Sequence, residues 1–239
     1  MQVGLISRPR VHREVVATLA RRILSGEIAP GDGFPNTIQL SVDLGVSRSA
    51  LREAVKVLSA KGMLEVRPRT GTRVRPRDSW NLMDPELLSW CGPELDPELL
   101  RSLLECRLLI EPGAAALAAA RATAAQLAVI EAAFDRMNEA ADLNARVEAD
   151  LEFHVAVLKA SGNLFLAQWA GTVSSILLAT FRISAGMTTS ESDAFTAHRD
   201  VMESIRLRNA SRADRAMRHL LSIAAKDLHI KAAQARSTR

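Results

Sequence analysis

The chain has 239 residues, enough for one or two domains, and a formal charge of +4. Hydrophobic residues make up 48% and charged residues 24%, the balance of an ordinary globular protein. Two cysteines are too few for a disulfide scaffold or a cysteine zinc cluster. An apolar run long enough to span a membrane and an N-terminal signal segment are both missing, so we expect a cytoplasmic protein.

The charge is divided unevenly along the chain. Residues 1–77 contain 14 Lys and Arg against 6 Asp and Glu, a net of +8. Residues 78–239 contain the remaining 17 basic and 21 acidic residues, a net of −4. This asymmetry predicts an N-terminal domain that binds nucleic acid, followed by a region with a different role.

The first third has the pattern of a winged helix-turn-helix. Helical spacing of apolar residues predicts helices over 12–25 and 37–44, and Ser47 is a candidate N-cap for a helix that ends near Lys61. Short β-type segments at 64–66 and 72–74 predict a hairpin wing. We therefore predict a DNA-binding domain over residues 1–77.

The second helix of a helix-turn-helix places its N-terminal residues against base edges in the major groove. The predicted contacts on that helix are Ser47, Arg48, Ser49 and Arg52. On the wing they are Arg67, Arg69, Gly71 and Thr72, and further arginines at 73, 75 and 77 suit phosphates or the minor groove. The alternative is a basic surface that is merely solvated.

Residues 78–96 are predicted to be a linker, and residues 97–239 a nearly all-helical domain. Two of the three tryptophans, Trp80 and Trp90, lie in this linker and either clamp one domain on the other or anchor a loop. Predicted helices cover 97–121, 123–143, 146–160, 164–184, 191–208 and 211–233. Thr123 and Ser211 are candidate N-caps, Asn163 opens a helix, and Pro112 should kink the first one.

Several stretches resemble known bacterial regulators. GEIAPGD at 26–32, LGVSRSALREA at 44–54 and GMLEVRP at 62–68 resemble the winged helix of GntR-type transcription regulators. ECRLLIEP at 105–112, ADLEFH at 149–154 and SGN at 161–163 resemble the FCD ligand-binding domain of the FadR subfamily. The run PRDSWNLMD at 76–84 is most similar to regulators of sugar-acid catabolism of the galactonate type.

The resemblance implies a mostly α protein that works as a repressor. It would bind a palindromic double-stranded operator as a homodimer, without membrane contact, and a small carboxylate, such as an aldonate or uronate, would release it. The sequence departs from the family pattern at two positions of the DNA-binding unit. Ile38 stands where the family commonly has an arginine that touches DNA, and Arg69 stands where the wing turn usually has glycine.

Asp150 and His154 are spaced one helical turn apart, so both project from one face and form a half-site for a divalent metal. A histidine on a helix is more often structural, and spacing alone leaves that alternative open. The resemblance to metal-binding FCD domains adds His198 and His219 as ligands. Zinc is the first expectation, with nickel or manganese as alternatives.

An anionic effector needs a second cation besides the metal. The resemblance places Arg107 at the family's effector-contacting position, with Arg182 as a second candidate and Asn163 as a third pocket residue. Arg107 could instead pair with Glu111 one turn later, and Asn163 could simply cap its helix. The alternative functions are regulation of another organic-acid or fatty-acid pathway and metal-dependent hydrolysis. We expect no enzyme, because the chain has no nucleophile motif, no phosphate-binding glycine loop and no spare general base.

Overall fold

The computed structural model describes residues 8–67, 71–91, 95–184 and 191–237. The chain divides into two compact units, residues 1–96 and 97–239. The elements of the first unit are α1 Arg8–Leu24, α2 Thr37–Asp43, α3 Arg48–Ala60, β1 Leu64–Arg67, β2 Gly71–Val74 and α4 Pro85–Ser89. Those of the second are α5 Pro97–Arg121, α6 Ala124–Glu139, α7 Leu143–Ala160, α8 Leu164–Ser184, α9 Glu191–Arg206 and α10 Ala210–Ser237.

The first unit is the predicted winged helix-turn-helix. Ser47 caps α3 by accepting a hydrogen bond from the amide of Ala50, and Leu51 and Leu58 bury the inner face of that helix completely. Strands β1 and β2 pair antiparallel from Leu64 opposite Val74 to the wing turn. The mostly helical fold class is confirmed. The N-terminal turn and the outer face of α3 are exposed.

The segment predicted to be a linker packs on the DNA-binding unit. Trp80 and Trp90 are both buried, and the indole nitrogen of Trp80 donates to the carbonyl of Arg75 at 2.9 Å. The amide of Asp96 donates to the carbonyl of Leu24 at the end of α1. A side chain at Gly62 would meet the carbonyl oxygen of Ser79 at 2.1 Å, so only glycine allows this close approach. Residues 78–96 are thus a strap that belongs to the first unit.

Lys61 fastens this strap to the end of α3. Its buried ammonium lies 2.6 Å from an oxygen of Asp84 and 2.9 Å from an oxygen of Glu86, and 5.3 Å from the ring centre of Trp90. Burial opposes the charge of Lys61, but hydrogen bonds to Asp84 and Glu86 outweigh it and raise its pKa. The strap therefore contacts α3 through a buried charged group.

Replacing Lys61 by alanine is expected to lower the free energy of unfolding of the first unit by about 2 kcal/mol, because Asp84 loses its partner. The matched control is Lys56→Ala on the same helix, where an exposed pair with Glu53 is worth well under about 1 kcal/mol. Urea unfolding followed by tryptophan fluorescence in a Trp169→Phe background reports on Trp80 and Trp90. Equal losses in the two variants would contradict the role of Lys61.

The second unit is a helical bundle. Phe153, Ile130 and Val201 are fully buried among alanines and methionines of α5, α6, α7, α9 and α10. Helix α5 continues through Pro112, which cannot donate to the carbonyl of Leu108, and Arg218 Nη1 lies 3.5 Å from that oxygen. Thr123 caps α6 as predicted, but the prediction for Ser211 is wrong: the side chain of Asn209 accepts from the amide of Arg212.

None of the helices in the described ranges combines the length and apolarity that a membrane crossing requires.

Candidate metal centre and DNA-binding surface

Helices α7 and α9 bring three of the predicted metal ligands together. Asp150 and His154 lie one turn apart on α7, and His198 lies on α9. The Nε2 atom of His154 is 3.4 Å from Oδ1 of Asp150, and the Nε2 atom of His198 is 3.4 Å from Oδ2. One potential ligand atom from each residue lies within 4.8 Å of the other two. Both imidazoles are buried, and the carboxylate is nearly so.

The other nitrogen of each imidazole faces an acceptor. Nδ1 of His198 lies 2.8 Å from the carbonyl oxygen of Ala194, one turn earlier on α9. Nδ1 of His154 lies 2.6 Å from Oε2 of Glu111 on α5, although the oxygen lies off the direction of an aligned hydrogen bond. Since a carbonyl oxygen cannot donate, Nδ1 of His198 carries hydrogen, and the Nε2 atoms of both histidines face Asp150.

Both carboxylates near the cluster are held ionised. Burial opposes the charge of Glu111, but the adjacent Arg107 and His154 outweigh it and lower the pKa of Glu111 to about 2. The same opposition holds at Asp150, where His198 and then His154 and Arg107 lower its pKa. The cluster is therefore built around negative charge in a buried setting.

The residues present fit a divalent cation. Oδ1 of Asp150 and Nε2 of His198 are buried and have no hydrogen-bond partner among the described residues. Buried polar atoms nearly always have a hydrogen-bond partner. Two buried atoms without one that face the same point therefore indicate a site for a further group, such as a cation. One carboxylate oxygen and two imidazole nitrogens are the donor set that zinc prefers in open sites.

His219 is not brought to this cluster. The buried positions of α10 are Ala213, Met217, Leu220 and Leu221, a stripe spaced by one and two helical turns. His219 lies on roughly the opposite side of that helix, and its side chain is exposed. The structure thus gives three of the four predicted ligands, and the role of His219 stays a prediction without structural support.

The structure supports the alternative interpretation of Arg107. Its Nε lies 2.5 Å from Oε1 of Glu111 and its Nη2 lies 3.4 Å from Oε2, in a pair that is 3% and 1% exposed. Asn163 caps α8, its side chain accepting from the amides of Phe165 and Leu166, which satisfies its acceptor oxygen. The side chain of Arg182 lies outside the described part of the chain.

The outer face of α3 carries the predicted DNA contacts. Arg48, Ser49 and Arg52 are exposed, and neither arginine forms an ion pair within the described part of the first unit. The hydroxyl of Ser47 is engaged as the N-cap and also lies 3.0 Å from that of Ser49. The charge of both arginines is thus available to a polyanion.

The wing residues differ in their availability. Arg67 is exposed and pairs with Glu65 at 2.9 Å, a contact that solvent weakens. Gly71 has φ +90° and Thr72 follows it on β2, while Arg69 lies outside the described residues. Arg77, predicted to suit phosphate, instead pairs with Asp96 at 2.7 Å and helps to hold the strap.

Family comparisons agree with this architecture. The model described as "Bacterial regulatory proteins, gntR family" matches residues 12–74, and the FCD domain model matches residues 102–222. The chain belongs to the GntR family of transcription regulators. It is therefore a DNA-binding regulator rather than an enzyme, and its FCD domain implies a small-molecule effector.

Relatives of this regulator span most of its length. The galactonate operon transcriptional repressor of Escherichia coli K12 is 34% identical over 207 residues, which cover 84% of this chain and 90% of that protein. YieP of the same organism, an uncharacterized HTH-type transcriptional regulator, is 41% identical over 66% of this chain and 70% of its own. The solved structure of Lar from Listeria monocytogenes matches 96% of this chain and 99% of its own, with a TM-score of 0.60 at 17% identity, and shows the shared fold.

Two buried charged residues with contacts between segments escaped the sequence analysis. Glu111 was considered only as a partner for Arg107, and its buried contact with His154 depends on how α5 packs against α7. The role of Lys61 could not be predicted from local sequence, because its partners lie 23 and 25 residues later in the strap. The spacing of Arg107 and Glu111 was the available clue to the first of them.

Proposed function

We propose that this regulator represses a sugar-acid catabolic operon and is released from its operator by a small carboxylate effector. The observation that carries the effector proposal is the buried cluster of Asp150, His154 and His198, whose unsatisfied atoms converge inside the FCD domain. The similarity to a galactonate operon repressor over most of both chains supports the choice of sugar acids.

Asp150, His154 and His198 would hold a divalent ion, zinc in the first place and nickel or manganese as alternatives. When bound, such an ion supplies a Lewis-acidic position for an anionic oxygen of the effector. Since Arg107 is engaged by Glu111, Arg182 becomes the first candidate for the second cation that a carboxylate needs. A carboxylate with a neighbouring hydroxyl, as in an aldonate, would offer two oxygens to one centre.

The effector class is tested by thermal unfolding of the metal-loaded chain with a ligand panel. We expect galactonate, gluconate or a uronate to raise the melting temperature, whereas galactose, which lacks the carboxylate, does not. Ligand that binds only the native state stabilises it by mass action. A response to lactate or to decanoate, with none to sugar acids, would replace the proposal with an organic-acid or fatty-acid regulator.

The working form is proposed to be a homodimer on a palindromic operator, since one winged helix reads only a half-site. Effector binding releases DNA only if the effector binds more tightly to a dimer whose two winged helices are arranged unsuitably for the operator than to the DNA-binding arrangement. Sedimentation of the free chain and of its complex with a selected duplex tests this. One chain per duplex at saturation would contradict it.

Replacing Ile38 by arginine is expected to strengthen DNA binding. Ile38 is 51% exposed on α2, at the position where related regulators commonly use arginine to contact DNA. A new phosphate contact should raise affinity about 3- to 10-fold at low salt and steepen the salt dependence by about 0.9 per contact. Leu207→Arg, also an exposed site but in the second unit, is the control. Identical salt slopes for the two variants would contradict the placement of α2 against DNA.

A further inference from the structure

A buried chain of contacts runs from Arg107 through Glu111 to His154. The guanidinium of Arg107 lies 2.5 Å from Oε1 of Glu111, and the other carboxylate oxygen lies 2.6 Å from Nδ1 of His154. Arg107 is 4%, Glu111 1% and His154 2% exposed. Oε1 of Glu111 contacts Arg107, whereas Oε2 lies between Nη2 of Arg107 and Nδ1 of His154, away from solvent.

We infer that Glu111 is the residue that positions His154 for metal binding and that Arg107 orients Glu111. This inference rests on the proposed metal centre of Asp150, His154 and His198. A carboxylate beside Nδ1 restrains the orientation of the ring, so that Nε2 faces Asp150. It also makes the imidazole a better donor to a cation.

The two histidines are positioned in different ways. His198 uses the carbonyl of Ala194 on its own helix, which any sequence would provide. His154 instead depends on a side chain from α5, so its orientation couples that helix to the cluster. This arrangement assigns Arg107 to the support of the metal centre, where the family resemblance assigns it to the effector.

The test is the zinc affinity of the full chain, measured by competition with a chromophoric chelator. Glu111→Gln is expected to weaken zinc binding about 10- to 100-fold, the usual effect of removing such a partner. It should also change the visible absorption spectrum of the cobalt-substituted chain. The control is Glu105→Gln on the same helix. The carboxylate of Glu105 is exposed, and its contact with Arg101 is a loose one at 3.9 Å.

A variant that leaves Arg107 buried without a partner could fail to fold, so Arg107→Met/Glu111→Gln removes both charges. We expect the folded double variant to bind zinc as weakly as the single variant, while selected DNA is bound within about 2-fold of the parent chain. Equal zinc affinity and equal cobalt spectra in the parent, Glu111→Gln and the double variant would overturn this inference alone. Failure of the parent chain to bind any divalent metal would instead overturn the proposed metal centre.

Discussion

Replacing Arg52 by alanine is expected to lower the affinity for operator DNA about 100-fold or more at moderate salt, and Arg48→Ala should act in the same direction. Both side chains are exposed on the outer face of α3, while Leu51 and Leu58 anchor its inner face. A bidentate arginine contact is worth about 1–3 kcal/mol, and a dimer makes it twice. Fluorescence anisotropy on a duplex selected from a random library by the parent chain measures the loss.

The matched control for these variants is Arg101→Ala, which removes the same charge from an exposed position on α5. Its affinity should stay within about 2-fold of the parent, since α5 belongs to the second unit. The melting temperature and metal content of all three variants should be unchanged. Retained affinity in Arg52→Ala and Arg48→Ala would show that α3 does not read the groove.

Replacing His198 by alanine is expected to reduce bound metal from about one ion per chain to less than about a tenth, because the remaining two ligands no longer enclose a cation. The response to sugar acids should disappear with the metal. DNA affinity should change less than about 2-fold, since α3 and the wing are untouched. Elemental analysis of the purified chain and DNA titrations with and without effector measure these effects.

His219→Ala is the matched control, because the exposed side chain of His219 lies outside the cluster. It should retain metal and effector response. Loss of metal in His219→Ala equal to that in His198→Ala would mean that the metal-bound chain recruits α10, as the family resemblance implies. Retention of metal in both variants would contradict the three-residue centre.

The local parts of this fold could be predicted from the sequence. Ser47 and Thr123 cap their helices because side-chain capping depends only on residues three positions away. The same holds for Asp150 and His154, whose common face follows from the helical period. Residues 97–121 and 164–184 form helices with the predicted bounds.

The features that escaped prediction depend on packing between distant segments. Trp80 and Trp90 are buried in the first unit beside Gly62 and Lys61, and the composition of the strap does not reveal either neighbour. His219 seemed equivalent to His198, but the phase of α10 is set by which of its apolar residues enter the core. The pair of Arg107 with Glu111 is local to α5 and was one of the two predicted alternatives, but the contact of Glu111 with His154 depends on the packing of α5 on α7.

The central claim is that a sugar acid acts through a metal held by Asp150, His154 and His198 to release DNA. The most direct test is titration of galactonate and related sugar acids into a complex of the zinc-loaded chain with its selected duplex, followed by anisotropy. The account predicts release by at least one sugar acid, loss of that release after chelation of the metal, and recovery when zinc is restored. Release that is unaffected by chelation, or no release by any sugar acid with the metal bound, would contradict it.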